Sequence, residues 1–371
     1  MVREREPSSG DGARFAGINS LRALAVIAVV MYHVAVVFPP PAYAWLRHFH
    51  AGVSLFFVLS GFLLFRPFAE ALPSGTVNTA RYALNRVLRI LPAYYVATLV
   101  VFWTQTGARD VGRLWRNLTF TTVYRGLPDS ILLGSWSLDA EVLFYVFLPL
   151  LFVACRALPV RSRLPIATVV VCVLGAASIA YQASLGLTFP AANRIAQHGP
   201  TPYYQVLAKF QLFAFGMLVA VLHVRRPQLT LRAPVRALVL VVAAAAALIG
   251  VVGFLQVPGL GDPAMGIAFS LLLTTVLFLP GRSWGRRVLT TAPLVFIGEV
   301  SYGVYLWHGA LLVALVRMHL AASNGPLLLL ELLSVSIAVA ALSYHVVERP
   351  ALRLKSLWAK APAARAELAA A

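Results

Sequence analysis

Apolar residues run along the chain in blocks of about 20, each long enough to cross the hydrocarbon core of a bilayer as a helix. Ten such blocks fall at 18–38, 50–68, 87–105, 136–155, 164–183, 204–223, 234–255, 262–280, 293–316 and 326–347. The pattern predicts an all-α fold, a polytopic membrane helical bundle of about ten transmembrane helices. Residues 1–17 are polar and charged and read as a disordered cytoplasmic tail. Residues 18–350 form one membrane domain, and 351–371 a C-terminal tail with an Ala-rich end. No repeat and no second, appended domain is evident, so the protein is expected to work alone or with a separate partner.

Composition agrees with this reading. The chain is 60% hydrophobic and 12% charged, where a soluble domain averages about 25% charged residues. Its net charge of +18 would point to nucleic acid in a soluble protein. Here the charge sorts by loop instead, and no nucleic-acid partner is expected. Of the 31 basic residues, 22 fall in the segments on the N-terminal side of the bundle and 7 on the other. Lys and Arg concentrate in cytoplasmic loops, so both termini are expected in the cytoplasm, in a multi-pass protein of the plasma membrane. The external loop 106–135 nevertheless carries four Arg. Ala42–Ala44 resembles a signal-peptide cleavage site, but Arg22 and His33 would be odd in a discarded segment, and the first span reads as retained. Cys155 and Cys172 sit in apolar stretches and imply no disulfide framework.

Ionisable residues inside the spans carry the chemistry. Arg22 and His33 are eleven residues apart, so they share one stripe of a helix about 16 Å apart along its axis. Given the orientation, Arg22 lies near the cytoplasmic face, with Arg86 and Arg89 at the cytoplasmic mouth of the third span. His33 lies in the external third, level with Asp139 and Glu141 of the fourth. Tyr302, Tyr305 and His308 follow at intervals of three along the ninth span. The polar groups thus form an inner cationic layer and an outer layer of His and carboxylate.

These residues carry a resemblance. Arg22 with His33, the stretch from Gly52 to Phe62, Arg86-Val87-Leu88-Arg89 with Pro92 and Tyr94, Ser301-Tyr302 through His308, and Glu348-Arg349-Pro350 resemble, in order, the motifs of the acyltransferase-3 family of integral-membrane acyltransferases. The stretch from Trp136 to Tyr145 is similar to the family's fourth-span pattern. It departs where Val142 and Leu143 replace an acidic residue and a Gln. The resemblance implies an enzyme: an acyl-CoA-dependent O-acyltransferase of the class transferring groups other than aminoacyl groups, with 18–350 as its acyltransferase domain.

An imidazole in an outer membrane cavity can take the proton of an acceptor hydroxyl as it attacks a thioester. His33 is the candidate base, against the plainer account of an interfacial, hydrogen-bonded histidine. A carboxylate beside it would fix its tautomer, with Glu141 the first choice and Asp139 the second. Their alternative is an ion pair with an Arg of the external loop. Arg86 and Arg89 share a helix face, and Arg reads phosphate through a planar fork of donors. With Arg22 they are the candidate contacts for coenzyme A, although any single Arg could instead anchor the protein to lipid headgroups. Arg22 could alternatively balance Glu299. Ser60 invites an acyl-serine reading, yet packing through small residues explains it better. Ser60, Trp136, Tyr302, Tyr305 and His308 are candidate substrate-lining positions. No metal spacing is present, so no catalytic metal and no permanently bound cofactor are expected.

The expected reaction moves an acyl group, acetyl first, from cytoplasmic acyl-CoA to a hydroxyl of a cell-envelope carbohydrate, a glycolipid or a macrolide-like metabolite. A direct transfer is preferred over an acyl-enzyme. The rival is a proton-coupled transporter of sugar, lipid or small molecule, since buried His, Arg and Glu also build proton relays. Against it, the halves show no inverted repeat of broken spans. A non-catalytic scaffold would not need so many intramembrane charges.

Overall fold

A computed structural model describes residues 9–37, 41–73, 77–105, 110–125, 129–188, 201–256, 259–281, 283–318 and 325–355. Its helices are α1 (Ser9–Val37), α2 (Gly52–Ala71), α3 (Thr79–Gln105), α4 (Val111–Leu118), α5 (Trp136–Arg156) and α6 (Val160–Thr188). They are followed by α7 (Val206–Arg225), α8 (Ala233–Gln256), α9 (Gly261–Leu277), α10 (Trp284–Leu289), α11 (Ala292–Arg317) and α12 (Gly325–Ser343). Among the described residues there is no strand, and nine helices are long and apolar enough to cross a membrane. The block expected at 262–280 forms α9, an apolar helix of 17 residues. At 1.5 Å per residue it reaches about 25 Å, short of a hydrocarbon core of about 30 Å.

The first helix begins earlier than the polar run suggests. Residues 9–17, expected in a disordered tail, form its first turns, because the stripe that buries Ile18 and Leu21 already starts at Gly17, packed against Val276 of α9. Residues 1–8 and 356–371, the outer parts of the two expected tails, lie outside the described residues.

Packing brings α1 against α11 and α2, α2 against α7, and α7 against α6 and α9. Glycines permit several of the close crossings. A Cβ on Gly61 of α2 would lie 2.1 Å from the Phe213 carbonyl oxygen of α7, and one on Gly298 of α11 would lie 1.9 Å from that of Asn19 on α1. Between α2, α5 and α7 the core is aromatic, with Phe144 and Phe213 stacked at 4.2 Å. In contrast, Leu238, Val241 and Leu248 of α8 are exposed by 63–66%. An apolar surface of that kind suits lipid rather than water.

The described part of the segment between α3 and α5 is tied down by its own charges. Asp110 caps α4 by accepting from the Arg113 amide at 3.1 Å. Arg116 pairs with both Asp129 and Asp110, and Arg113 donates to the carbonyls of Asp129 and Ser130. Two of the four Arg in this loop therefore hold its shape. At the far end of α12 the backbone loosens into a π-turn over Tyr344–Glu348, which leaves Glu348 buried beside α3. Single π-turns of this kind often accompany functional sites.

Candidate active site

Two chambers lie along α1, called inner and outer after the sides that the loop charges predict for them. The inner one, of about 110 Å³, is lined by Arg22, Ser60, Arg86, Arg89, Glu141 and Tyr302, with apolar side chains between them. The outer one, of about 390 Å³, is lined by His33, Ser54, Trp136, Tyr203, Lys209 and Asp262 among others. Val53 and Phe57 of α2 line both and form the partition between them. Phe57 is held by ring contacts to Phe213 at 4.7 Å and to Trp136 at 6.1 Å.

In the inner chamber Arg22 Nε donates to Ser301 Oγ at 3.2 Å. Glu299, proposed as its counter-ion, sits on the exposed face of α11. The two arginines of α3 differ. Arg89 pairs with the buried Glu348 at 3.3 Å, whereas Arg86 lies 5.8 Å from the Tyr82 ring centroid and its buried Nε has no hydrogen-bond partner among the described residues. Ser60 Oγ donates to Glu141 Oε1 at 2.6 Å, so Ser60 faces this chamber and is not only a packing residue. Tyr302 donates to the Ile90 carbonyl at 2.9 Å, linking α11 to α3.

The carboxylate expected beside His33 is replaced by a second imidazole. Glu141 lines the inner chamber, on the other side of the partition. Asp139 is turned toward the segment between α3 and α5, where it accepts from Thr122 Oγ1 at 2.5 Å and from the Val123 amide at 3.1 Å. One carboxylate is thus engaged by α2 and the other by the loop. The group against His33 is His308, with Nε2 3.0 Å from His33 Nδ1. For neutral rings the surroundings fix both tautomers. His308 Nδ1 faces the carbonyl oxygens of Tyr305 at 2.8 Å and Val304 at 3.3 Å, which only accept, so it carries the hydrogen. His308 Nε2 is then an acceptor. His33 Nδ1, which also faces the Val29 carbonyl at 2.9 Å, must be the donor. The basic lone pair of His33 is left on Nε2. Tyr305 holds the neighbouring segment by donating to the Gly134 carbonyl at 2.7 Å and bonding Ser137 Oγ at 2.7 Å.

Some residues of the outer chamber escape sequence reasoning. Lys209 of α7 and Asp262 of α9 are paired at 2.5 Å and both buried. The lone Lys inside one apolar block and the Asp at the head of another are the available signals. Among the described residues no three His, Cys, Asp or Glu side chains converge as metal ligands would.

A helical bundle with a cationic chamber and an imidazole pair beside it suits one class of protein, the membrane acyltransferases. The family model described as an acyltransferase domain, acyltransferase-3, matches residues 15–345, and the chain belongs to that family. It is 27% identical to a candidate membrane-bound transacylase, BcsY, of Komagataeibacter xylinus, over 90% of this chain and 82% of the relative. It is 25% identical to a candidate O-acetyltransferase of Staphylococcus aureus (strain COL), over 90% of this chain and 56% of that one. Identity to a candidate peptidoglycan O-acetyltransferase, YrhL of Bacillus subtilis (strain 168), is 23% over 90% of this chain and 54% of the relative. The chain thus spans only about half the length of the last two. No solved structure matches it.

Proposed function

We propose that the protein is an O-acyltransferase that takes an acyl group, acetyl first, from cytoplasmic acyl-CoA and places it on a hydroxyl at the outer side of the plasma membrane, with both termini cytoplasmic. The observation that carries the reading is the pair of chambers on one helix, three arginines in the inner and His33 in the outer, meeting at Val53 and Phe57. Arg86, with its unpartnered nitrogen, and Arg22 are the contacts for the phosphates of the donor. Arg89 shares its charge with Glu348 and acts more as a support.

The donor thioester reaches the partition from the inner side and the acceptor hydroxyl from the outer. His33 Nε2 takes the hydroxyl proton as the acceptor oxygen bonds to the thioester carbonyl carbon. The carbon–sulfur bond then breaks, and the proton passes to the departing thiolate. The products are an ester and coenzyme A. His308 Nε2 steadies the imidazolium in the place a carboxylate takes in a triad. Glu141 and Asp139 then position α2 and the loop, and Ser60, Trp136, Tyr302 and Tyr305 line the path. The names of the relatives support an acetyl donor and a hydroxyl-bearing cell-envelope acceptor, a glycan or glycolipid; a macrolide-like acceptor fits the same chemistry.

The reading is tested with purified protein in nanodiscs. Acetyl-CoA should bind by calorimetry. His33→Ala should keep that binding and the melting temperature while losing ester formation in cell-envelope extracts read by mass spectrometry. Absence of donor binding, or a His33→Ala variant with undiminished turnover, rejects it.

A further inference from the structure

The outer chamber contains an ion pair that the transfer step does not use. Lys209 and Asp262 are 3% and 6% exposed, and burying both charges is costly unless geometry and hydrogen bonding are complete. The cost is not needed for folding, because well-packed apolar residues commonly replace such pairs without loss. Its arrangement is asymmetric. Lys209 Nζ at 2.5 Å, Tyr203 OH at 3.1 Å and Gln182 Nε2 all converge on one carboxylate oxygen, Oδ2. Gln182 is itself braced by Gln211 at 2.5 Å. The second oxygen, Oδ1, accepts a single long bond of 3.4 Å, from Ser54, among the described residues. An ionised carboxylate offers about four lone-pair sites, so a firmly anchored anion keeps acceptor capacity on a residue that lines the chamber.

We propose that the Lys209–Asp262 pair is the acceptor-selecting element of the outer chamber, and that it takes an uncharged, hydroxyl-rich ring of the pyranose type. The inference rests on the acyltransferase reading above and narrows it. The pair is neutral as a unit, so it offers no net charge to compensate burial of an anionic or a cationic acceptor. An uncharged hydroxyl can donate to Asp262 Oδ1 at no such penalty. The apolar face of a ring has Trp136, Tyr204 and Phe57 on the same walls, and a chamber of about 390 Å³ falls in the usual range for small-molecule sites. His33 lines the same space, which lets one hydroxyl be held while another is deprotonated.

The test uses wild-type protein in nanodiscs with acetyl-CoA and four acceptor probes: methyl β-D-glucopyranoside, glucuronic acid, glucosamine and cyclohexanol. Ester is read by mass spectrometry and donor affinity by calorimetry. The glucopyranoside should be esterified in preference to the other three. Asp262→Asn should raise its KM about 10- to 100-fold, the worth of a hydrogen bond to a charged group, with acetyl-CoA affinity unmoved. Because that variant leaves Lys209 unpaired and can lose its fold, Lys209→Met with Asp262→Leu removes both charges together. The double variant should melt like wild type and show the same rise in KM. A double variant with wild-type KM, one that no longer folds, a preference for cyclohexanol or a charged sugar, or donor binding with no ester on any probe each overturns the proposal. Failure of wild type to bind acetyl-CoA is a separate outcome: it removes the donor reading, and the proposal with it.

Discussion

Replacing Phe57 with Ala should uncouple donor cleavage from transfer. On the mechanism proposed above, water in the outer chamber would reach a thioester in the inner one only when the Phe57 ring leaves its place. That displacement breaks its contacts to Phe213 and Trp136. Two aromatic pairs are together worth about 1–3 kcal/mol, which at about 1.36 kcal/mol per decade is a closed-to-open ratio of about 5 to 150. Phe57→Ala removes the ring and this cost, so acceptor-independent hydrolysis of acetyl-CoA should rise by the same factor. The assay follows thiol release in nanodiscs without acceptor, with Phe57→Leu as an intermediate case. His33→Ala in the Phe57→Ala background reports whether the leak uses the same base. A folded Phe57→Ala variant that binds acetyl-CoA yet hydrolyses it at the wild-type rate would refute the partition.

Other perturbations separate roles that look alike. Arg86→Ala should weaken acetyl-CoA binding with little change in melting temperature, whereas Arg89→Ala strands the buried Glu348 and should lower melting clearly. Adding Glu348→Gln to Arg89→Ala should restore most of the loss, measured by thermal scans in detergent. Asp139→Ala removes the acceptor for Thr122 and Val123 and should make loop 110–125 the first site of proteolysis, while donor affinity stays unchanged. The Asp110 carboxyl is held below its ordinary value of 3.8, chiefly by the Arg113 amide. Its folded-state value being depressed, the cap's contribution is full above that ordinary value and fades as pH falls below it. Protection of the Arg113 amide in hydrogen exchange, corrected for intrinsic rates, should follow this course and be flat in Asp110→Asn.

The spans are legible because length and hydropathy act locally, and so is the stripe of Arg22 and His33, since the helical period alone puts them on one face. What faces each stripe is another matter. His308 meets His33 from 275 residues away, and Asp262 meets Lys209 from 53. In a soluble helix the polar face marks the outside, but here lipid-facing Leu238 and Val241 are as apolar as buried Phe213. No pattern then tells which wall a carboxylate lines. Glu141 and Asp139, two residues apart, point about 200° away from each other on a helix, so both could not have joined His33. The helix period holds that information; the choice between them is made by Ser60 and the Thr122 segment.

The first and eleventh helices are stitched together at three levels: Gly298 against Asn19, Arg22 to Ser301, and His33 to His308. Sliding one past the other by a single turn, about 5.4 Å, would break all three at once. This couple therefore behaves as a fixed spine against which depth is measured.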